Sequence, residues 1–187
     1  TGTLYYEEAF TITIVDVNDT PTDISLSSAS VNENESSGTT VGTFSSTDDD
    51  TSDSHTYTLV SGTGSTDNSS FDISSSNLQT AASFNFESQS SYNILIRTTD
   101  SGTGTLYYEE AFTITIVDIN EAPTDISLSS TSVNENMGLS TTVGTLSSTD
   151  DAGDSHTYTL VSGTGSTDNA SFAISSANLN TAASFDY

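Results

Sequence analysis

The chain has 187 residues, with one Lys or Arg against 26 Asp and Glu, and a formal net charge of −25. Ser and Thr supply 69 residues, hydrophobic residues make up 32%, and cysteine and tryptophan are absent. A disulfide-stapled domain is therefore excluded, as is a nucleic-acid binder or a protein docked on anionic lipid, both of which need a basic footprint. No apolar run approaches the ~18–20 residues of a membrane span, and no stretch of these residues reads as a signal peptide. Low hydrophobicity with high net charge is otherwise the composition of a disordered chain.

Internal repetition argues against disorder. TGTLYYEEAFTITIVD at 1–16 recurs at 103–118, an offset of 102. SVNEN at 30–34 returns at 132–136, and TDDDTSDSHTYTLV returns as TDDAGDSHTYTLV, one residue shorter, so the offset falls to 101. The expected organisation is the last strand and linker of one repeat at 1–19, a whole repeat at 20–121, and the first two-thirds of another at 122–187. A period of about 100 residues is that of a small domain, so the expectation is beads on a string.

The first predicted strand is 9–15, AFTITIV, where Phe10, Ile12 and Ile14 alternate with Thr11, Thr13 and Val15. Short strands follow at 23–26, 39–46, 71–74 and 78–80. At 55–60, His55, Tyr57 and Leu59 alternate with Thr56, Thr58 and Val60. The stretch 91–98 turns Tyr92, Ile94 and Ile96 inward and Arg97 outward, and 111–117 repeats the first strand. No helical period is sustained. About seven short strands per repeat, separated by Gly, Ser, Asn and Asp, predict an all-β fold of tandem Greek-key β-sandwiches, incomplete at the two ends of the chain.

The acids gather in loops at the ends of these strands. Within the repeat they are Asp16 and Asp19 with Asn18; Glu33; Asp48, Asp49, Asp50 and Asp53; Glu87; and Asp100. The next set is Asp118, Asn120 and Glu121, then Glu135, then Asp150, Asp151 and Asp154. Two carboxylates ~5 Å apart repel by about 3 kcal/mol at an effective dielectric of ~20. One Arg cannot neutralise such groups, whereas Ca²⁺ takes six to eight oxygen ligands of this kind. Two histidines and no cysteine give no dedicated zinc or copper site. Glu7, Glu8, Glu109 and Glu110, in strand lead-ins, read instead as solubilising charge.

DVNDTP, VNEN, TDDD, FNFE and TTDSG, in that cyclic order, resemble the calcium motifs of a cadherin repeat. The phrase PTDISLSS–SVNEN–TTVGT–SSTD–TYTLV is also similar to the cadherin-like repeats of large bacterial surface adhesins. The resemblance spans the chain and implies immunoglobulin-like sandwiches with Ca²⁺ between successive domains. At one joint it implies Asp16, Asn18, Asp19, Asp48, Asp50 and Asp100 as ligands. At the other it implies Glu33 and Glu87 from upstream, Asp118, Asn120 and Glu121 from the linker, and Asp150 and Asp151 from downstream. Asn85 stands where the family has Asp, the second DxD motif is shortened to Asp150–Asp151, and proline follows the linker one residue early. These departures imply fewer or weaker ions than a full cadherin joint holds.

The functional expectation is a calcium-binding, rod-forming adhesive or spacer segment of a large extracellular surface protein, with no catalysed reaction. Its partners would be neighbouring repeats of the same polypeptide, a second copy, or surface glycans, with no nucleic acid and no membrane insertion. Two alternatives stand beside it: a filament assembled by strand exchange, and a glycan or ice binder using the outward Thr11, Thr13, Thr113 and Thr115. Asp53-Ser54-His55 is not a triad, because adjacent strand residues point to opposite faces. Asn18, Asn34, Asn68 and Asn169 lie in N-x-S/T sequons, with an ordinary Asn-Ser turn the favoured reading at Asn68 and Asn169.

Overall fold

The computed structural model describes residues 1–151 and 153–187. The chain divides into two compact units, unit 1 at Thr1–Asp118 and unit 2 at Ile119–Tyr187.

Unit 1 contains eight strands: β1 (Asp23–Leu26), β2 (Ser30–Asn32), β3 (Thr40–Thr47), β4 (His55–Leu59), β5 (Phe71–Ser74), β6 (Asn77–Thr80), β7 (Ser91–Asp100) and β8 (Tyr107–Val117). They form two four-stranded sheets, ordered β1-β3-β6-β5 and β2-β8-β7-β4. All pairings are antiparallel except that of β2 with β8. Alternation is what lets each sheet bury one face. Ile24, Phe44, Phe71 and Leu78 from the first sheet meet Ile94, Ile96, Ile114 and Ile116 from the second in one continuous core. Aromatic rings join the layers: Phe44 stacks on Tyr57 at 5.2 Å and tilts against Phe112 at 5.9 Å. This is the expected β-sandwich.

The expected strand set was one short. β2 is three residues long, below the length at which alternation can be read, and it lies inside the SVNEN stretch. Gly42 explains the recurrent TTVGT. A side chain there would run into the Ser28 carbonyl at 2.5 Å, and Gly144 faces Ser130 in the same way at 2.6 Å. The close approach of the crossing segment leaves no room for a Cβ.

Arg97, the sole basic side chain, sits opposite Glu109 on β8, bonds its Oε1 through Nε at 2.9 Å, and lies 4.2 Å from the Tyr107 ring centre. Glu110 Oε2 accepts from the Ile24 N–H at 3.1 Å and so ties β1 to β8. These two glutamates, expected to be mere surface charge, are structural bridges.

Among its described residues unit 2 has four strands: β9 (Asp125–Leu128), β10 (Thr142–Thr149), β11 (Phe172–Ser175) and β12 (Asn178–Thr181). They form one sheet, ordered β11-β12-β10-β9, the same arrangement as the β1-β3-β6-β5 sheet of unit 1.

One strand expectation fails. The stretch 9–15 is not a strand, although its copy forms most of β8. Residues 156–160 are likewise irregular, although their copy is β4. A strand exists through its ladder, and neither stretch has a pairing partner among the described residues. In unit 1 the partner of β4 is β7, which also pairs with β8.

Candidate metal centre

Unit 1 brings one predicted set of acids together. Asp48 directly follows β3 and opens a tight loop, in which the Asp50 N–H donates to Asp48 Oδ1 at 3.2 Å. Asp50 Oδ2 in turn accepts from the Asp19 N–H at 2.6 Å, drawing the linker onto the loop. Asn18 donates through Nδ2 to Asp100 Oδ2 at 3.2 Å, and the Gly102 N–H donates to Asp100 Oδ1 at 3.1 Å. Asp100 ends β7 and is buried, while Asp16 and Asp19 are exposed. The backbone thus fixes Asn18, Asp19, Asp48, Asp50 and Asp100 about one loop cluster.

His55, the first residue of β4, lies 3.0 Å from Asp48 through Nε2. That contact, offset in part by desolvation and aided by the Asp50 N–H, holds the Asp48 carboxyl below its ordinary value of 3.8. His55 is therefore a positioning partner of an acid, not simply a residue packed beside Tyr57.

Asp53 is one of the clustered acids that the motif reading left out of the ligand set. Its Oδ2 is buried and has no hydrogen-bond partner. A Cβ at Gly102 would collide with the side chains of both Asn18 and Asp53. The Asn18 amide oxygen and an orphaned carboxylate oxygen therefore converge on one glycine. An unpaired buried carboxylate oxygen is costly unless a cation answers it. Asp48, Asp50 and Asp100 belong to the same hydrogen-bonded loop cluster, and oxygen donors of this kind suit a hard divalent ion such as Ca²⁺.

The opposite end of unit 1 carries Glu33, Glu87 and Asp118. Glu33 is buried, at 2% exposure, and its Oε2 accepts from the Phe86 N–H at 2.9 Å. Carboxylate oxygens of Glu33 and Glu87 come within 4.8 Å of one another, as do those of Glu87 and Asp118. Asn85 Oδ1 accepts from the Ser88 N–H at 2.7 Å, closing the turn that contains Glu87.

Unit 2 repeats the first pattern. Asp150 lies 2.8 Å from His156 Nε2, as Asp48 does from His55. Asp151 Oδ2 accepts from the Glu121 N–H at 3.0 Å, as Asp50 does from Asp19. The shortened motif keeps both roles: Asp151 takes the place of Asp50. Asn120 donates to the Glu121 carbonyl at 3.1 Å. Glu135 accepts from the Tyr187 N–H at 2.9 Å, the counterpart of the Glu33 bond.

The sequons at Asn68 and Asn169 are structural turns. Asn68 Nδ2 donates to the Val60 carbonyl at 2.8 Å and its Oδ1 accepts from the Leu95 N–H at 3.0 Å. Asn169 Nδ2 donates to the Val161 carbonyl at 2.8 Å. A glycan on either nitrogen would displace that bond.

The fold and its acid-lined loops define an immunoglobulin-like, all-β type of module. Residues 27–117 match the family model described as the cadherin domain. Human protocadherin-24 EC1-2 is similar to the chain with a TM-score of 0.68 and 18% identity, covering 91% of this chain and 81% of that one. Mouse cadherin-23 EC22-24 gives a TM-score of 0.62 and 23% identity over 91% of this chain and 56% of that one. The protocadherin gammaB4 extracellular domain gives 0.57 and 21%, over 91% of this chain and 29% of that one. The chain thus spans well under two-thirds of the last two. No curated protein matches the chain. Among the described residues no helix is long and apolar enough to cross a membrane.

Proposed function

We propose that the chain is a calcium-binding, rod-forming segment of a large extracellular surface protein, acting in adhesion or as a spacer. The observation that carries this reading is the duplicated acid geometry. A DxD-type pair, Asp48 with Asp50 and Asp150 with Asp151, takes a histidine on one carboxylate and a linker N–H on the other. One proposed ion set is Asp16, Asn18, Asp19, Asp48, Asp50 and Asp100, extended by Asp53. The other, resting on the resemblance, is Glu33, Glu87 and Asp118 with Asn120, Glu121, Asp150 and Asp151. The repeat boundaries of this reading are 1–19, 20–121 and 122–187.

Ca²⁺ would neutralise converging carboxylates and stiffen the joints, with neighbouring repeats as the first partners. The similarity to repeats of bacterial surface adhesins favours a bacterial source, and the role is non-catalytic. Small-angle scattering with and without chelator tests the stiffening. A maximum dimension that shrinks or broadens on calcium removal is expected, and an unchanged profile contradicts it.

A further inference from the structure

β1 is an edge strand. It ends the sheet ordered β1-β3-β6-β5, and among the described residues it pairs with β3 alone. Ser27, just past β1, donates its N–H to the Thr43 carbonyl at 3.0 Å. By alternation Asp23 and Ser25 also turn their backbone groups toward β3, and Ile24 and Leu26 turn theirs to the free side. Such a free side is a template for a strand from another chain. Here it is met from the opposite sheet. The side chain of Glu110, on β8, reaches across the sandwich, and its Oε2 accepts the Ile24 N–H at 3.1 Å. Ile24 is buried and Glu110 half-buried, so the bond is shielded from water.

We infer that Glu110 guards this edge: its carboxylate takes the Ile24 N–H and keeps β1 from pairing with β1 of a second copy. The second copy is the fitting occupant because the edge is complementary to itself. In an antiparallel pair centred on Ser25, Ile24 of each chain faces Leu26 of the other, and each such pair exchanges two backbone hydrogen bonds. The contact is two-fold symmetric and closes as a dimer. With Glu110 in place, the incoming Leu26 carbonyl only displaces a charged acceptor, so pairing gains little. Without Glu110, the Ile24 N–H has lost its acceptor, and pairing recovers a bond in each chain. Edge and guard belong to the same repeated sequence: DISL at 23–26 returns at 125–128, and YYEEAF at 107–112 also stands at 5–10. Near-identical repeats present near-identical edges, so a guard written into the repeat suppresses pairing between copies. The neighbouring Glu109 has a different task, bonding Arg97 at 2.9 Å.

Ser25 is exposed and the chain has no cysteine, so Ser25→Cys reports the pair. Residues opposed in a non-hydrogen-bonded pair lie about 4.5 Å apart at Cα, within disulfide reach. Disulfide dimer formation is followed under mild oxidation, at high salt to screen the net charge. The parent is Ser25→Cys, compared with the same chain carrying Glu110→Ala, Glu110→Asp, Glu110→Gln or Glu109→Ala. Glu110→Ala removes the acceptor, and Glu110→Asp keeps the charge but falls one methylene short. Both should cross-link about tenfold faster than the parent. Glu110→Gln retains an acceptor oxygen and Glu109→Ala removes an equal charge, so both should stay at the parent rate. Glu110→Asp decides the matter if Glu110→Ala does not fold. Parent-rate cross-linking in Glu110→Asp, or an equal rise in Glu110→Gln or Glu109→Ala, overturns the inference. The guard involves no proposed calcium ligand, so the same result is expected in calcium and in chelator, and its failure is distinct from failure of the calcium reading.

Discussion

The Asp19 N–H donates to Asp50 Oδ2 at 2.6 Å, and Glu121 donates to Asp151 at 3.0 Å in the corresponding place. Each bond fixes the linker to the loop after a β3-type strand and aims the carboxylates before any ion arrives. Asp50→Asn keeps an acceptor for the Asp19 N–H but removes the charge. The fold is expected to survive, while calcium-dependent stabilisation falls. A saturating ion adds about 2.7 kcal/mol at 100-fold excess over its Kd. Thermal melts with and without calcium check this, and an undiminished calcium shift in Asp50→Asn and Asp151→Asn would remove both residues from the ligand set.

Gly102→Ala probes the other side of the same cluster. The new methyl would meet the side chains of Asn18 and Asp53. Overpacking of this kind costs about 1–3 kcal/mol. The loss should be larger in calcium than in chelator, because an ion would hold those oxygens in place. Equal losses in the two conditions would mean that Gly102 serves only the apo fold.

One core truncation tests the sandwich of unit 1. Leu78 is fully buried between its two sheets. Leu78→Ala should cost about 2–5 kcal/mol, the range for a cavity in a packed core. Chemical denaturation followed by tyrosine fluorescence measures the loss, and a cost well below that range would contradict this packing.

Asp67 accepts the Asn93 N–H at 2.7 Å and bonds Thr66 and Gln89. The Asn93 bond, opposed in part by desolvation and aided by the two side chains, lowers its folded-state pKa below 3.8. A depressed carboxyl adds stability that is present above its unfolded value and lost as pH falls through the folded value. Asp67→Asn keeps an acceptor without the charge. It should melt below the wild type at neutral pH, and the two should converge in acid. A gap that persists unchanged at pH 2 would assign the effect to shape.

Much of the fold was legible because alternation and repetition are sequence properties. Ile94, Ile96, Ile114 and Ile116 announce buried faces through their spacing, and each is buried. Pairing is different. Ile12 and Ile114 have the same neighbours in sequence, yet only Ile114 is in a strand, because only there does β7 run alongside. The ligand candidates were legible by order, since acids that recur at one offset share one place in the fold. Asp53 was not separated from its acidic neighbours, because its orphaned oxygen and the Gly102 approach are tertiary facts. Glu110 reads as a surface charge for the same reason: its backbone partner, Ile24, is 86 residues away.

The central claim is calcium binding by the Asn18, Asp19, Asp48, Asp50 and Asp100 cluster, and calorimetric titration of the chelator-stripped chain with CaCl₂ tests it most directly. The account predicts saturable uptake, diminished in Asp50→Asn and diminished further when Asp48 and Asp100 are also replaced by Asn. Absence of binding heat at millimolar calcium, together with no calcium in the dialysed protein, would contradict it.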